Sequence, residues 1–409
     1  MRTIGIIGGG QLGRMAIEEA RKYLAHIEVL TPEYPSPAAE LADAAHLGPL
    51  DDYESVLEFA QELDVVSYEI EAVSVEALVE LERRGTLVLP AAGILAAICD
   101  KYLQKSLLSG AGIPTAPFVA VEGDSSSAAL AVAGLRLGGF PLVQKARSGG
   151  YDGRGVAMLS SADDACALRC PSYLEERVDF EKELAVVVAR SPGGQSAVYP
   201  CVEMVFDERA NMCDSVLAPA RVGAALRAQA EALARTCVEA LCVEALRAGS
   251  PPSGLGGVFG VELFLTRSGG LLVNEVAPRP HNSGHFSIEA CESSQFDQYL
   301  RILAGLPLGS CELLRPAMMV NLFGESGAAE SEGTPDYLGL EEALAIPGVA
   351  LHLYGKRELR PFRKMGHLTA LGSTQEEAIE RAEAARKLIR IVGRREGQPT
   401  LGESKKENA

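Results

Sequence analysis

The stretch GVELFLTRSGGLLVNE, residues 260–275, contains two apolar runs separated by a turn sequence at residues 268–270. The runs extend from Val258 to Leu265 and from Leu271 to Val276, and their length and composition are typical of β-strands. The Ser-Gly-Gly between them tolerates the backbone of a tight turn. The stretch therefore predicts a β-hairpin.

The hairpin places two carboxylates opposite each other. If it is symmetric about the midpoint of Ser268 and Gly269, Glu262 and Glu275 are paired on one face, about 5 Å apart at Cβ. Two like charges at this distance favour a bound cation, and Mg²⁺ held by carboxylates and nucleotide phosphates is the usual solution. The alternative is a solvated hairpin with two surface glutamates, but the surrounding Val, Phe and Leu residues indicate a face shielded from water.

The overall composition limits the classes of function. A chain of 409 residues is expected to form two or three domains, each with a substantial core. A net charge of -17 argues against non-specific binding to nucleic acid or to an anionic membrane. Small anionic ligands must then be bound by local basic clusters.

The nine cysteines contain no CxxC pair and are odd in number, which favours reduced thiols over disulfides or a zinc site. The short apolar start before Gly8 does not fit a signal peptide, and no run of about 18 apolar residues predicts a membrane helix. We therefore expect a cytoplasmic protein without a membrane partner.

The N-terminal segment has the pattern of a βαβ unit. A strand from Thr3 to Ile7 precedes the glycine-rich residues 8–13, and a helix is predicted from Arg14 to about Leu24. These residues match GxGxxG, in which amide groups at a helix N-terminus bind phosphate. Further alternating strands and helices predict a parallel sheet. A dinucleotide site also needs an acidic residue at the end of the second strand, and Glu33 stands at about the right distance. An NAD-dependent oxidoreductase is therefore one alternative function.

A second glycine-rich segment lies between two predicted strands. The first strand, Phe140 to Lys145, ends in a lysine, and residues 148–155 contain four glycines before the next strand, Val156 to Leu159. Such a loop can wrap a polyphosphate with its amide groups. An ordinary hairpin loop is the alternative, but Lys145 upstream and the strand end at Glu175 to Val178 favour nucleotide binding.

Two polar segments follow the hairpin. Residues 277–285 contain an arginine, two histidines and an asparagine, and they predict a loop that faces the substrate. Residues 356–364 contain five cations and one anion, which in an acidic chain indicates a phosphate site. A solvated charged surface is the alternative for this second segment.

These features together resemble the ATP-grasp enzymes, which activate a carboxylate as an acyl phosphate. Within that superfamily, six motifs in order are similar to the 5-(carboxyamino)imidazole ribonucleotide synthases of purine synthesis. The motifs are GGGQLGRM (8–15), YEIE (68–71), GGYDGRG (149–155), NEVAPRPHNSGH (274–285), SQFDQYLR (294–301) and RKMGH (363–367).

The resemblance implies an α/β and α+β fold of ATP-grasp architecture, usually in a homodimer. It implies a biotin-carboxylase-like (pre-ATP-grasp) domain with a parallel sheet at residues 1–98, a small lid domain at 99–180, a catalytic domain at 181–395 and a disordered tail at 396–409. It also implies a reaction in which ATP and bicarbonate form carboxyphosphate, which carboxylates the amine of 5-aminoimidazole ribonucleotide.

The resemblance further implies roles for individual residues. Glu262 and Glu275 would bind Mg²⁺, with Asn274 beside them. ATP would be bound through its phosphates by Lys101, Lys145 and a flap of Gly150, Tyr151, Asp152, Gly153, Arg154, Gly155 and Val156; through its adenine by Glu175, Glu176, Arg177 and Val178; and through its ribose by Glu183. Tyr151, Arg154, Arg279, His281, Lys356 and Glu69 would be catalytic, and Gly10, Gln11, Leu12, Glu71, Asn282, Ser283, Arg363 and Lys364 would bind the ribonucleotide substrate.

Three positions differ from the family pattern. Lys101 stands where many members have arginine, which keeps the charge but loses the planar fork. Phe362 replaces a glycine and is expected to restrict the backbone beside Arg363. Phe206 stands where a polar residue is frequent in the nucleotide pocket.

Two further functions stay open. One is another ATP-grasp ligase, such as a formate-dependent glycinamide ribonucleotide transformylase. The other is a catalytically silent binding subunit, which the complete charged set disfavours.

Overall fold

The structure, a computed structural model, describes residues 2–123, 125–149, 155–207, 212–324 and 332–394. Within these ranges the chain forms four β-sheets with helices between and beside them. No helix in these ranges is long and apolar enough to cross a membrane.

The N-terminal region contains the predicted parallel sheet. Its strand order is β3-β2-β1-β4-β5, and each neighbouring pair is parallel. The strands are β1 Thr3–Ile7, β2 His26–Thr31, β3 Ala44–Leu47, β4 Val65–Tyr68 and β5 Leu87–Val88, and the helices of this region and the linker after it are α1 Gln11–Ala20, α2 Tyr53–Phe59, α3 Val75–Arg84, α4 Ala92–Cys99 and α5 Lys101–Gly110.

Helix α5 is separated from α4 by Asp100, which caps the start of α5. The carboxylate of Asp100 accepts hydrogen bonds from the amides of Tyr102 (2.9 Å) and Leu103 (3.2 Å), which is the geometry of an N-cap. Asp100 also binds the guanidinium of Arg147, with Nε at 2.8 Å. The cap therefore fixes the start of α5 against the segment after Lys145.

A smaller antiparallel sheet, here called the lid, has the order β6-β9-β7-β8. It consists of β6 Phe118–Ala120, β7 Leu142–Ala146, β8 Val156–Leu159 and β9 Ser172–Glu176, with α6 Ser127–Arg136 against it. Leu130, Leu142 and Leu174 belong to a hydrophobic cluster formed by lid residues.

The largest sheet follows the order β15-β14-β10-β12-β13-β16-β19-β18, with β11 beside β10, and its neighbouring strands are antiparallel. The strands are β10 Phe180–Arg190, β11 Ser196–Val198, β12 Val202–Asp207, β13 Met212–Ala218, β14 Gly257–Thr266, β15 Leu271–Ala277, β16 Ala317–Phe323, β18 Val349–Leu353 and β19 Lys364–Leu371. β17 Thr334–Leu338 pairs with β20 Arg390–Arg394. The remaining helices are α7 Ala224–Arg247, α8 Ser287–Ala290, α9 Gln295–Ala304, α10 Leu340–Leu344 and α11 Gln375–Leu388.

The N-terminal sheet and the largest sheet share one hydrophobic core. Ile4 and Ile17 belong to the same buried cluster as Phe296, Tyr299 and Met319. Helix α9 lies between the two regions, and a hydrogen bond of 2.7 Å joins the hydroxyls of Tyr299 and Ser67. The carboxyl end of the parallel sheet is thereby held next to the polar face of the β14–β15 hairpin.

Candidate active site

The β14–β15 hairpin pairs Glu262 with Glu275, as the sequence predicts. Nearer the turn, Leu263 pairs with Val273, so Asn274 is an extra residue in a β-bulge. The amide of Asn274 donates to Oε2 of Glu262 at 3.1 Å. The bulge therefore brings the Asn274 side chain to the glutamate pair.

A third carboxylate lies beside this pair. Glu183 is on β10, where Ala185 pairs with Glu262, so Glu183 and Glu262 are diagonal neighbours across two strands. Burial, and then the charge of Glu262, raise the pKa of Glu183 to about 7. Three carboxyl groups are thus gathered on one face of the sheet.

Two lysines approach the same face. Lys101 Nζ lies 2.6 Å from Oε2 of Glu275, and Lys145 Nζ donates to Oδ1 of Asn274 at 2.9 Å. Burial alone would raise the pKa of Glu275, but the ion pair with Lys101 outweighs it and holds the pKa well below its usual range. Glu275 is therefore an ionised carboxylate that contacts the ammonium of Lys101.

The glutamate pair fits Mg²⁺ bound together with a nucleotide. The described residues contain no group of three or more His, Cys, Asp or Glu arranged around one metal position. A pair of carboxylates suits Mg²⁺, which usually keeps waters and takes its other ligands from substrate phosphates. The two carboxylates therefore fit a metal ion that takes its remaining ligands from a bound nucleotide.

The segment predicted to hold adenine differs in part from expectation. Strand β9 ends at Glu176, so Arg177 and Val178 lie beyond it rather than closing it. Glu175 is buried, and its carboxylate contacts the ammonium groups of Lys105 and Lys145. The side chain of Glu175 therefore points towards the lysines.

The flap predicted at residues 150–156 is described only at its end. Gly150, Tyr151, Asp152, Gly153 and Arg154 lie outside the described residues. The carbonyl of Gly155 accepts from the amide of Ala146 at 2.8 Å, and Val156 begins β8. The described end of the flap, at Gly155 and Val156, therefore lies directly beside Lys145.

Arg279 connects the polar loop after β15 to the N-terminal region. Its guanidinium lies 3.1 Å from Oε1 of Glu71. Its Nε is buried and has no hydrogen-bond partner within the described ranges, so this donor can serve a bound anion. Arg279 also donates from Nη1 to the carbonyl of Pro280 at 3.4 Å, so Nε is the guanidinium nitrogen that remains available.

Glu69 has a role that the sequence did not predict. Its carboxylate accepts the amides of Gly10 and of Gly13 (2.6 Å), so it caps helix α1, whose N-cap residue Gly10 has no side chain to do so. A Cβ at Gly10 would lie 2.7 Å from the Glu69 carboxylate, and Gly8 has φ +122. The glycines therefore leave room for the Glu69 carboxylate at the position where a dinucleotide phosphate would otherwise bind. This contradicts the hypothesis of an NAD-dependent oxidoreductase.

The nearby Gln11 and Leu12 form the first turn of α1, and Leu12 is buried. Burial raises the pKa of Glu69, and the amides of Gly13 and Gly10 counteract that rise. Lys356 and Arg279 also act on Glu69 electrostatically, which places the start of α1 close to both predicted substrate-binding regions.

The loop after Arg279 is held by side-chain contacts. His281 Nδ1 lies 2.8 Å from the hydroxyl of Ser283, and its Nε2 lies 3.4 Å from Oε1 of Glu262. Asn282 and Asn321 exchange two hydrogen bonds of 2.9 and 2.8 Å through their amides. His281 is thereby fixed between the loop and the glutamate pair.

Three histidines are stacked behind this loop. The ring centroids of His285 and His367 are 4.8 Å apart, and those of His367 and His352 are 4.5 Å apart. His352 binds Glu289 at 2.6 Å. Burial holds the pKa values of His285 and His367 well below the usual range. The rings of His285 and His367 are therefore neutral near pH 7.

We expect this stack to make the free energy of unfolding depend on pH. Below the unfolded pKa of about 6.5, unfolded His285 and His367 take up protons that the folded protein does not. Stability should therefore fall as the pH drops through about 6.5, by up to about 1.4 kcal/mol per pH unit for each ring. His352, whose Glu289 partner outweighs burial and raises its pKa, should act in the opposite direction.

Urea unfolding between pH 5 and 7.5 tests this expectation. His367→Asn should have a shallower pH dependence of the free energy of unfolding than the wild type, because it removes one of the two buried rings. An unchanged slope in His367→Asn would contradict the assignment.

The basic segment near the C-terminus divides into two groups. Arg357 binds Glu40 at 2.6 Å and Arg360 binds Glu358 at 2.7 Å, so these two arginines contact surface acids. Lys356 Nζ donates to the carbonyl of Lys364 at 2.7 Å. Arg363 donates to the carbonyl of Glu358 at 2.8 Å and lies 3.8 Å from its carboxylate. Lys356, Arg363 and Lys364, which belong to the predicted phosphate segment, are called the inner group.

Phe362 lies in the left-handed region, with φ 59. This is the position where the family usually has glycine, and the phenylalanine adopts the unusual backbone that glycine would allow. The expected restriction has therefore not prevented the turn beside Arg363. Phe206 is partly buried against the shared core.

Sequence reasoning missed two residues of this site. Lys105 and Gln104 are buried on α5, and Gln104 exchanges hydrogen bonds of 2.9 Å with both backbone groups of Val276. The available signal was their spacing from Lys101 on a predicted helix, which puts Lys105 one turn further on the same face.

Three family models match the chain. Residues 1–99 match the ribonucleotide synthetase preATP-grasp domain, residues 106–296 match the ATP-grasp domain, and residues 317–381 match the phosphoribosylaminoimidazole carboxylase C-terminal domain.

The chain is also similar to individual proteins. It is 39% identical over 402 residues to the N5-carboxyaminoimidazole ribonucleotide synthase of Synechococcus elongatus, covering 96% of this chain and 95% of the relative. The Thermotoga maritima synthetase structure matches with a TM-score of 0.83 and 43% identity, covering 96% of this chain and all of the other. An Aspergillus clavatus synthase structure, in complex with ADP and 5-aminoimidazole ribonucleotide, matches with a TM-score of 0.82 and 35% identity over 94% and 98% of the two chains.

Proposed function

The chain belongs to the family of N5-carboxyaminoimidazole ribonucleotide synthases, and from this membership we propose how its residues divide the work of the reaction. It is an ATP-grasp ligase that carboxylates 5-aminoimidazole ribonucleotide with bicarbonate at the expense of ATP, in purine biosynthesis.

One observation supports the assignment of roles most strongly. The Arg279–Glu71 contact of 3.1 Å links the N-terminal region to the loop that follows Glu275. His281 from the same loop contacts Glu262. The residues proposed for the metal-bound nucleotide (Glu262), for the small anion (Arg279) and for the amine (Glu71) therefore lie close together.

In the first step, an oxygen of bicarbonate attacks the γ-phosphorus of ATP, ADP leaves, and carboxyphosphate forms. Lys101 and Lys145 would bind the phosphates, and Glu262 and Glu275 would hold Mg²⁺. When bound, the metal would supply positive charge against the charge that develops during transfer. Glu183, Glu176 and the backbone near Val178 would hold the nucleoside, and the flap at residues 150–156 would cover the phosphates.

In the second step, the amine of the ribonucleotide attacks the carboxyl carbon, loses a proton, and phosphate leaves. Arg279 would hold carboxyphosphate, because its planar fork matches two anionic oxygens. Glu71 lies against Arg279 and would orient the amine. Glu69 would act indirectly by holding the start of α1, and His281, Asn282 and Ser283 would shape the loop.

The phosphate of the ribonucleotide would bind the inner basic group of Lys356, Arg363 and Lys364. The start of α1 at Gly10 to Leu12 lies close enough to Lys356 for both to act on Glu69. A chain with a net charge of -17 needs such a local cluster to attract a phosphate.

Three broader assignments are part of the proposal. The division at residues 98 and 180 and the homodimer follow from the family resemblance, and light scattering of the purified protein tests the dimer. A cytoplasmic location is supported by the nine cysteines, which all lie in described segments and are all free.

We expect the purified protein to release ADP from MgATP only when bicarbonate and 5-aminoimidazole ribonucleotide are both present. A coupled assay of ADP release measures this, with glycinamide ribonucleotide plus formate as the matched alternative substrates. Equal release with the alternative pair, or release that does not require the aminoimidazole, would contradict the proposed function.

A further inference from the structure

We propose that Lys105 is a positioning residue that neutralises Glu175 and thereby leaves the charge of Lys145 available to the phosphates of ATP. The inference extends the proposed function, because it depends on Lys145 as a phosphate ligand. Lys105 itself does not touch the substrate in this proposal.

The three side chains form a buried cluster. Lys105 contacts Oε2 of Glu175, and Lys145 lies 2.6 Å from Oε1 of the same carboxylate. The side chains of Lys105, Glu175 and Lys145 are 3%, 4% and 12% exposed. Glu175 is thus sandwiched between two ammonium groups, each on its own oxygen.

The charge of this cluster decides what Lys145 can attract. Two cations and one anion give a net charge of +1, whereas Glu175 and Lys145 alone would give a neutral pair. Charges at this depth interact strongly because little water screens them. Burial would raise the pKa of Glu175, but Lys145 and Lys105 outweigh it and lower that pKa, so the carboxylate is ionised.

Lys145 connects this cluster to the metal-binding face. Its ammonium donates to Oδ1 of Asn274 at 2.9 Å, and the amide of Asn274 donates to Glu262 at 3.1 Å. Lys145 thus contacts Glu175 and Asn274 at the same time. Without Lys105, Glu175 would be neutralised by Lys145 alone, so Lys105 keeps the charge of Lys145 available on the side of Asn274.

Helix α5 fixes Lys105 in relation to the same face. Lys101, one turn earlier, contacts Glu275 at 2.6 Å, and Gln104 binds both backbone groups of Val276 at 2.9 Å. The ammonium of Lys105 also lies 5.9 Å from the centroid of the Phe118 ring. Its position is thus set by the helix, the hairpin and the lid together.

The decisive test combines two substitutions. Lys105→Met should weaken ATP binding, measured by calorimetry, by about tenfold or more, because Glu175 then neutralises Lys145. The double variant Lys105→Met/Glu175→Gln restores the net charge of +1 and should recover affinity to within about threefold of the wild type. A packing role for Lys105 would not be rescued by removing the charge of Glu175.

Two controls accompany the test. Arg221→Met removes one of the two cations that flank Glu203, outside the proposed nucleotide site, and should not change ATP binding. If Lys105→Met does not fold, Lys105→Gln, whose amide can still donate to Glu175, replaces it with the same rescue expected.

The outcomes separate this inference from the proposed function. Wild-type affinity in Lys105→Met, or no rescue in the double variant, would overturn the role of Lys105. Wild-type affinity in Lys145→Met would overturn the phosphate assignment on which the inference rests. Loss of affinity in Lys145→Met and in Lys105→Met, with rescue only in the double variant, would support both.

Discussion

Glu275→Ala is expected to lower turnover by at least about three orders of magnitude while the fold persists. The carboxylate lies opposite Glu262 and is ionised by its contact with Lys101. Removing it takes away a proposed Mg²⁺ ligand and leaves Lys101 without its partner. Because the Glu275 side chain is 37% exposed, the substitution should cost much less stability than truncation of a buried group.

Steady-state ADP release at several Mg²⁺ concentrations measures the effect, and thermal unfolding checks the fold. Glu239→Ala is a matched control, because Glu239 is also partly exposed and pairs with the largely buried Arg190, outside the candidate site. It should lose a similar amount of stability and keep its activity. Wild-type turnover in Glu275→Ala would refute the metal assignment.

Arg279→Lys is expected to lower carboxylation by about a hundredfold or more with little change in ATP binding. Lysine keeps the positive charge but cannot present two parallel N–H groups to two oxygens of an anion. The contact with Glu71 uses one guanidinium nitrogen, and the buried Nε has no partner in the described part of the chain. The substitution thus tests geometry at constant charge.

Product formation and ATP affinity should be measured separately for this variant. Arg267→Lys is the control, since Arg267 pairs with the exposed Asp179 on the surface and should tolerate the change. Full carboxylation activity in Arg279→Lys would show that charge alone suffices. An equal loss of ATP binding would place Arg279 at the nucleotide instead.

The sequence predicted those structural elements that depend on patterns of residues close together in the chain. The β14–β15 hairpin, strand β1 and the parallel sheet follow from apolar runs, turn residues and alternation, and all three are confirmed. The pairing of Glu262 with Glu275 was predicted without the bulge at Asn274. The start of α1 was wrong by three residues, because the glycine pattern was assigned entirely to the loop while the helix begins at Gln11.

Contacts between distant parts of the chain could not be read from the sequence. Glu69 binds amides 56 and 59 residues away, and Gln104 binds a backbone 172 residues away. The histidine stack joins residues from the loop after β15, from β18 and from β19. No periodicity or motif encodes such partners, because they depend on how finished sheets pack together.

The shared core determines which parts of the molecule unfold together. Ile4 and Ile17 are buried with Phe296 and Met319, whereas Leu130 and Leu174 belong to a separate cluster in the lid. The two large sheets should therefore melt as one cooperative unit, and the lid should open by itself at lower free energy. Amide hydrogen exchange would then show faster labelling in the lid strands, so that nucleotide entry proceeds without loosening the residues that bind the ribonucleotide.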